Sequence, residues 1–235
     1  MTPSRDELFE IYALPDRDET RVRMNFVESA DGAVTLRGRS GGLGGETDRA
    51  VMEVMRTLCD VVVVGAGTVR AEGYGGLELS EADAAWRRER GLAPQPRLAV
   101  VSRSLGLTPD DEVFTDAVTR PILVTRADAP EERRSALAEV ADLLVCGRAS
   151  VDLAAMLREF AALGLTQVLC EGGPHLFGSL LEADLVDEVC VTLAPRFVGG
   201  QAGRIVRGAP EADRRFELAR TFADDEGFVF LRYAR

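Results

Sequence analysis

The stretch QVLCEGGPHLFGSLL, Gln167 to Leu181, puts a carboxylate, two glycines, a proline and the only histidine of the chain beside one short apolar run. Val168 to Cys170 reads as a buried strand, and Leu176, Phe177, Leu180 and Leu181 fall at helical spacing directly after it. Two glycines at a strand exit, with Pro174 in the first helical turn, form an anion-binding helix N-terminus. Gly172 and Gly173 otherwise make a plain turn. Glu171, fixed by the strand before it, either hydrogen-bonds a polar substrate or caps a neighbouring loop. His175 is either a general acid or a polar residue at the helix start.

The segment VVVVGAGTVRAEG repeats the arrangement, with Gly65 and Gly67 straight after a β-branched run and Thr68 and Val69 next. Glycines here let a ligand approach the backbone, and Thr68 either donates to a phosphate or caps a helical turn. The Rossmann fingerprint is absent, because Arg70 stands where the third glycine belongs. Two such exits on one sheet edge suit a dinucleotide. A third exit, in AVVSRSLG, offers Ser102 and Arg103. An arginine fork fits a phosphate monoester such as the 2′-phosphate of NADP, or is one more surface arginine. In MNFVESADG, alternation sets Asn25, Ser29 and Asp31 on one face, with Glu53 and Arg56 near on the following helix. These groups either read the edge of a heterocycle or form a Ser-x-Asp-Gly turn.

The elements that must position these residues alternate. RVRMNFVES, DVVVVG, RLAVVS, PILVT, DLLVCG and QVLC read as strands. ETDRAVMEVMRTLC, with Thr47 as its expected N-cap, SEADAAWRRERG, PEERRSALAEV and SVDLAAMLREFAALG read as helices. The end of the chain differs: DEVCVTLAP and RRFELARTFADDEGFVFLRYAR predict strands, the last two joined as a hairpin near Asp225-Glu226-Gly227. Strands alternating with helices predict an α/β fold with a mainly parallel, helix-covered sheet, whose ligands bind beyond the carboxyl ends of the strands. Residues 1–20 are polar, acidic and aperiodic and read as an N-terminal arm before one domain at 21–235.

Composition narrows the function. A formal net charge of −11 argues against a nucleic-acid backbone or an anionic membrane surface as partner. No apolar run approaches a membrane span, and the N-terminus has no hydrophobic leader core, so a cytoplasmic protein is expected. The chain has no lysine, which removes Schiff-base chemistry and Walker A phosphate binding. Cys59, Cys146, Cys170 and Cys190 are widely spaced and read as core residues, and no metal site is expected.

Taken together, these stretches resemble the pyrimidine reductase domain of riboflavin biosynthesis, the dihydrofolate-reductase-like half of a bifunctional enzyme. The resemblance rests on SADG at 29–32, GRS at 38–40, MRTLCDVVVVGAGTVRAE at 55–72, EGGPHLFGSLLEADLVDE at 171–188 and APRFVGG at 194–200. It implies reduction of a ribosylamino-pyrimidine 5′-phosphate to its ribitylamino form with NADPH, by hydride transfer to C1′ of the sugar. It also implies a homodimer. NADPH contacts are implied at Val27, Thr68, Glu72 and Arg103 and along the loop from Gly173 through Pro174, His175 and Leu176 to Phe177. Substrate contacts are implied at Ser40, Arg56 and Glu171, with Asn25 and Asp31 near the reacting sugar; Asp31 and Glu171 are the expected catalytic pair.

Three departures bear on the substrate. Nothing matches the zinc deaminase signature of the bifunctional enzyme. Asn25 stands where the bacterial motif begins with lysine, as in archaeal and fungal reductases, which act on the diaminopyrimidine. The loop GYGGLELSEAD lacks the family's phosphate-binding arginine. A pterin or dihydrofolate substrate on the same fold, or a nucleotide-binding protein without turnover, are the alternatives.

Overall fold

A computed structural model describes residues 2–14 and 16–235. In chain order the elements are α1 (Arg5–Ile11), β1 (Arg21–Ser29), α2 (Glu46–Leu58), β2 (Val61–Gly65), α3 (Ala66–Glu72), α4 (Glu81–Glu89), β3 (Arg97–Val101), α5 (Glu112–Thr115) and β4 (Ile122–Thr125). There follow α6 (Glu131–Ala138), β5 (Asp142–Val145), α7 (Leu153–Ala162), β6 (Gln167–Cys170), α8 (Pro174–Glu182), β7 (Glu188–Ala194), β8 (Glu217–Ala223) and β9 (Val229–Ala234). Among the described residues nine strands make one sheet in the order β5-β4-β3-β2-β6-β1-β7-β9-β8. The first seven run parallel, and β9 pairs antiparallel with both β7 and β8. The expected α/β architecture with its C-terminal antiparallel hairpin is the one observed.

The parallel strands are apolar throughout because both faces are covered. In β2, Val62 and Val64 join a core formed with α1 and α2, while Val61 and Val63 join the opposite core with α7 and α8. All four valines are fully buried, each contributing roughly 1.5–3 kcal/mol by its removal from water. The order reverses around β6 and β1, so the carboxyl ends of β2, β6, β1 and β7 open onto one crevice, the usual place for a ligand in such a sheet.

Two local expectations are corrected. Residues 1–20 contain α1, set by a capping box in which Ser4 and Glu7 bond each other's backbone amides, with Leu8 and Tyr12 buried in the core. Its single turn of apolar contact is too short to stand out as periodicity. Thr47 does not cap α2; Gly45 is the N-cap, and Thr47 lies buried inside the first turn. The caps expected elsewhere are present: the Ser80 hydroxyl accepts from the Asp83 amide, and Gly91 and Gly164 take left-handed φ of 72° and 74° just past α4 and α7. The four cysteines are free and buried, and burial pushes the Cys59 and Cys170 thiols up to about 12.

Candidate active site

The crevice at the carboxyl edge holds a cleft of about 660 Å³. Its floor comes from β1, through Asn25, Phe26 and Val27, and one wall from the glycine exits of β2 and β6. These exits clasp each other: the Gly65 amide donates to the Gly172 carbonyl at 2.8 Å and the Glu171 amide to the Val63 carbonyl at 3.0 Å. Gly172 sits at φ 96°, where a side chain is strained, and a Cβ there would come within 3.3 Å of the Phe26 ring. Gly65, Gly67, Thr68, Gly173, Pro174, His175 and Leu176 all line the cleft. No side chain caps α8, whose N-cap is Gly173 and whose first residue is Pro174, so its positive end faces the space.

The opposite wall is α2. Val51, Val54, Met55 and Leu58 are buried against the sheet, which turns the complementary stripe, Asp48, Met52 and Arg56 at intervals of four, toward the cleft. Arg56 forms the firmest pair in the site. Its Nε and Nη2 donate to the two oxygens of Glu171 at 2.6 Å each, and Nη2 also donates to Tyr74 Oη at 2.9 Å. Tyr74 in turn donates to Glu171 Oε2 at 2.8 Å. The Glu171 side chain is 7% exposed and that of Arg56 20%. Burial opposes the Arg56 charge, but the Glu171 carboxylate outweighs it and holds the guanidinium above its ordinary value. Burial, reinforced by Glu171, likewise keeps Tyr74 protonated well above its usual range. Among the described residues Arg56 hydrogen-bonds through Nε and Nη2 and not through Nη1.

Two further carboxylates shape the walls. Glu72 accepts the Ser40 amide at 2.9 Å and so fixes the glycine-rich loop before α2. Asp48 lines the cleft with its carboxyl pushed up by burial, offset in part by a hydrogen bond from Thr192 and by the charge of Arg49.

Asn25, Val27, Ser40, Arg56, Glu72 and Glu171 therefore meet in one cleft with the glycine loops. Eight expected residues do not line it. Ser29 ends β1 and Asp31 lies just past it: the Ser29 hydroxyl donates to Asp31, and Asp31 accepts the amides of Val198 and Gly199 at 3.1 and 2.7 Å. The Ser29 bond and those two amides hold the exposed Asp31 carboxyl down to about 2, so its oxygens anchor the 196–200 loop. Val69 is buried in the core under α3. Phe177 stacks on Phe26 from behind, with ring centroids 5.3 Å apart. Gly172 is buried in the clasp. Ser102 and Arg103 lie at the β3 exit, where Ser102 is buried by backbone bonds to β4 and Arg103 is exposed. Arg126 donates to the Arg103 carbonyl, Arg133 to Ser104 and Arg70 to Gly106, so four arginines meet around this one loop. Glu53 faces away from the cleft, 3.7 Å from Arg5.

The sequence reading missed Asp48, Arg49, Tyr74 and Arg207, which also line the cleft. The stripe at 48, 52 and 56 was implicit in the apolar positions of α2. Tyr74 and Arg207 lie in irregular segments with no period to mark them. The Arg207 amide donates to the Pro174 carbonyl at 3.1 Å, which lays the 203–208 segment over the start of α8.

The two clasped glycine exits on the sheet edge thus face a helix that carries a carboxylate–guanidinium pair across the cleft. The chain belongs to the RibD C-terminal domain family, whose model matches residues 20–230. Its relatives are named as reductases, which makes it an oxidoreductase of the riboflavin-biosynthesis type. A 2,5-diamino-6-ribosylamino-4(3H)-pyrimidinone 5′-phosphate reductase of Methanothermobacter thermautotrophicus is 30% identical over 213 residues, covering 88% of this chain and 95% of that protein. A pyrimidine reductase-like protein of Corynebacterium diphtheriae superposes with a TM-score of 0.87 at 26% identity, over 97% of each chain. The diaminohydroxyphosphoribosylaminopyrimidine deaminase/5-amino-6-(5-phosphoribosylamino)uracil reductase of Thermotoga maritima shares the fold at 19% identity and a TM-score of 0.71, over 97% of this chain and 59% of that one. Among the described residues no helix is long and apolar enough to cross a membrane.

Proposed function

We propose that the chain is an NADPH-dependent reductase of the 2,5-diamino-6-ribosylamino-pyrimidinone 5′-phosphate type, converting the ribosyl group to ribityl. The observation that carries this reading is the cleft itself. Its glycine wall admits a pyrophosphate at two strand exits, and its α2 wall presents a fixed guanidinium and a carboxylate to a polar substrate. The residues fit the cofactor. Gly67 has open space where a side chain would stand, and the uncapped start of α8 complements a phosphate. The arginines around the 102–106 loop suit a 2′-phosphate. NADPH supplies the hydride when bound.

The chain's own residues supply position. Glu171 holds the Arg56 guanidinium in one orientation, so that Nη1 can donate to the substrate without losing rotational freedom on binding. Arg49 adds a second cation on the α2 wall, in place of the arginine that the loop after Glu72 lacks. Glu72 fixes the Ser40 loop at the edge of the cleft. Asn25 stands on the floor, beside the sugar, as a neutral hydrogen-bonding group. Asp31 acts on the substrate only through the 196–200 loop that it anchors. The functional unit is one domain over residues 21–235 with α1 packed on its core, working as a homodimer in the cytoplasm.

The cofactor assignment is tested by steady-state oxidation of NADPH and NADH with the diaminopyrimidinone substrate, in the wild type and in Arg103→Ala. Loss of a charge-assisted fork costs about 1.5–3 kcal/mol, so NADPH preference should fall by roughly tenfold to a hundredfold in the variant. A preference that survives the substitution unchanged removes Arg103 from the 2′-phosphate site. Faster oxidation with dihydrofolate than with any pyrimidine would replace the proposed substrate.

A further inference from the structure

Asp48 is the one carboxylate in the cleft that is neither paired with a guanidinium nor holding a backbone amide among the described residues. It stands in the first turn of α2, two helical turns and roughly 12 Å from Arg56 along the same stripe, so the two residues mark opposite ends of the substrate wall. Its end of the cleft lies over the β1–β7 pair, where Val27 is level with Thr192. The glycine loops and the start of α8 lie at the other side, on β2 and β6. A Cβ on Gly44 would fall 2.5 Å from Asp48 Oδ2, so the chain leaves room for this carboxylate by keeping glycine opposite it. Asp48 is partly buried on the cleft wall and bonded to the Thr192 hydroxyl, and its two oxygens keep acceptor capacity for a donor that enters the cleft.

We infer that Asp48 reads the heterocycle of the substrate, accepting two hydrogen bonds from the 2-amino group and the N3–H of a 2-amino-4(3H)-pyrimidinone edge. The inference rests on the proposed reductase function and deepens it. An ionised carboxylate only accepts, and its two oxygens match two adjacent donors as they match an arginine fork. The 2-aminopyrimidinone edge presents those two donors. A uracil edge presents one donor, N3–H, beside the O2 acceptor, which the carboxylate repels. The substrate named for the Methanothermobacter relative carries the first edge, and the uracil named for the Thermotoga protein carries the second. A dihydropterin carries the first edge too, so Asp48 selects the edge, and the groups at the Arg56 end select what is attached to it. The raised carboxyl of Asp48 agrees with this part: it faces the Thr192 hydroxyl from β7, Arg49 on its own helix and the Tyr12 phenol that follows α1. Two donors from the substrate would favour its ionised form, so binding should weaken as the pH falls through the raised Asp48 value.

Calorimetric binding of the diaminopyrimidinone and the uracil ribosylamino 5′-phosphates, in the wild type and in Asp48→Asn, tests the assignment without turnover. The asparagine amide offers one acceptor and one donor, which is the complement of uracil. The wild type should bind the 2-amino compound more tightly, and Asp48→Asn should shift the ratio toward uracil by on the order of tenfold to a hundredfold. Equal weakening of both ligands, or an unchanged ratio, overturns the inference. Free 2-aminopyrimidin-4(3H)-one and free uracil, titrated into the wild type across pH, give the same discrimination should the variant not fold. No preference, or one that does not weaken as the pH falls, again overturns it. NADPH oxidation with neither pyrimidine but with dihydrofolate would sink the proposed substrate while leaving the edge assignment standing on its binding ratio.

Discussion

Arg56→Met should lower the stability of the folded chain by about 3–5 kcal/mol, the usual cost of leaving a buried charge without its partner. For a chain of this size that is on the order of 6–20 °C in melting temperature. The reason is the closed set around Glu171, whose two oxygens accept Arg56 Nε and Nη2 at 2.6 Å and Tyr74 Oη at 2.8 Å, with the carboxylate side chain 7% exposed. Methionine fills the stem of arginine but leaves the carboxylate facing only the tyrosine. The double variant Arg56→Met/Glu171→Leu should recover much of the loss, because replacing a whole buried pair by apolar groups is often neutral. Neither variant should retain substrate turnover. Urea unfolding of wild type, single and double variants measures the coupling. A single variant within 1 kcal/mol of wild type would mean that water reaches the pair and that it does not fix the wall.

Gly173→Val should weaken NADPH binding by on the order of a hundredfold. The backbone of Gly173 is extended, at φ −78° and ψ −174°, a region that valine adopts freely. The obstacle is space: a Cβ there falls 2.4 Å from Thr68 Oγ1, across the clasp between the two glycine exits. Either the threonine hydroxyl leaves the cleft or the α8 start moves back, and both remove donors from the phosphate position. Adding Thr68→Ala relieves the contact, since Thr68 Cβ is 3.8 Å away. It should restore the melting temperature but not the NADPH affinity. Normal affinity in the double variant, measured by fluorescence titration, would return the Gly-Gly pair to a turn with no ligand.

The contrast between these sites explains what was legible in the sequence. The strands could be read because burial on both faces makes them continuous apolar runs, as in β2, and the glycine exits could be read because paired glycines interrupt the pattern directly after such a run, although only Gly172 has a backbone that demands glycine. The hairpin at the C-terminus announced itself through Asp225-Glu226-Gly227 between two alternating runs. Helix α1 was not legible: it buries only Leu8, with Tyr12 just beyond it, too little for periodicity to register. The pairing of Glu171 with Arg56 joins residues 115 positions apart, and no local pattern encodes such a contact. Tyr74 and Arg207 enter the cleft from irregular segments, whose side-chain direction is set by tertiary contacts alone. Asp31 misled for a physical reason. Alternation along β1 ends with the strand at Ser29, and beyond it the chain turns at Gly32 and points the carboxylate at the Val198 and Gly199 amides.

The most direct test of the central claim follows a label. NADPH deuterated at the transferable C4 position is incubated with the diaminopyrimidinone ribosylamino 5′-phosphate, with its uracil counterpart and with dihydrofolate, and the products are read by mass and by NMR. A ribitylamino product from the diaminopyrimidinone, carrying one deuterium at C1′ of the former ribose, is the expected result, with slower conversion of the other two. Deuterium in a reduced pterin ring together with an untouched sugar in both pyrimidines would contradict the account.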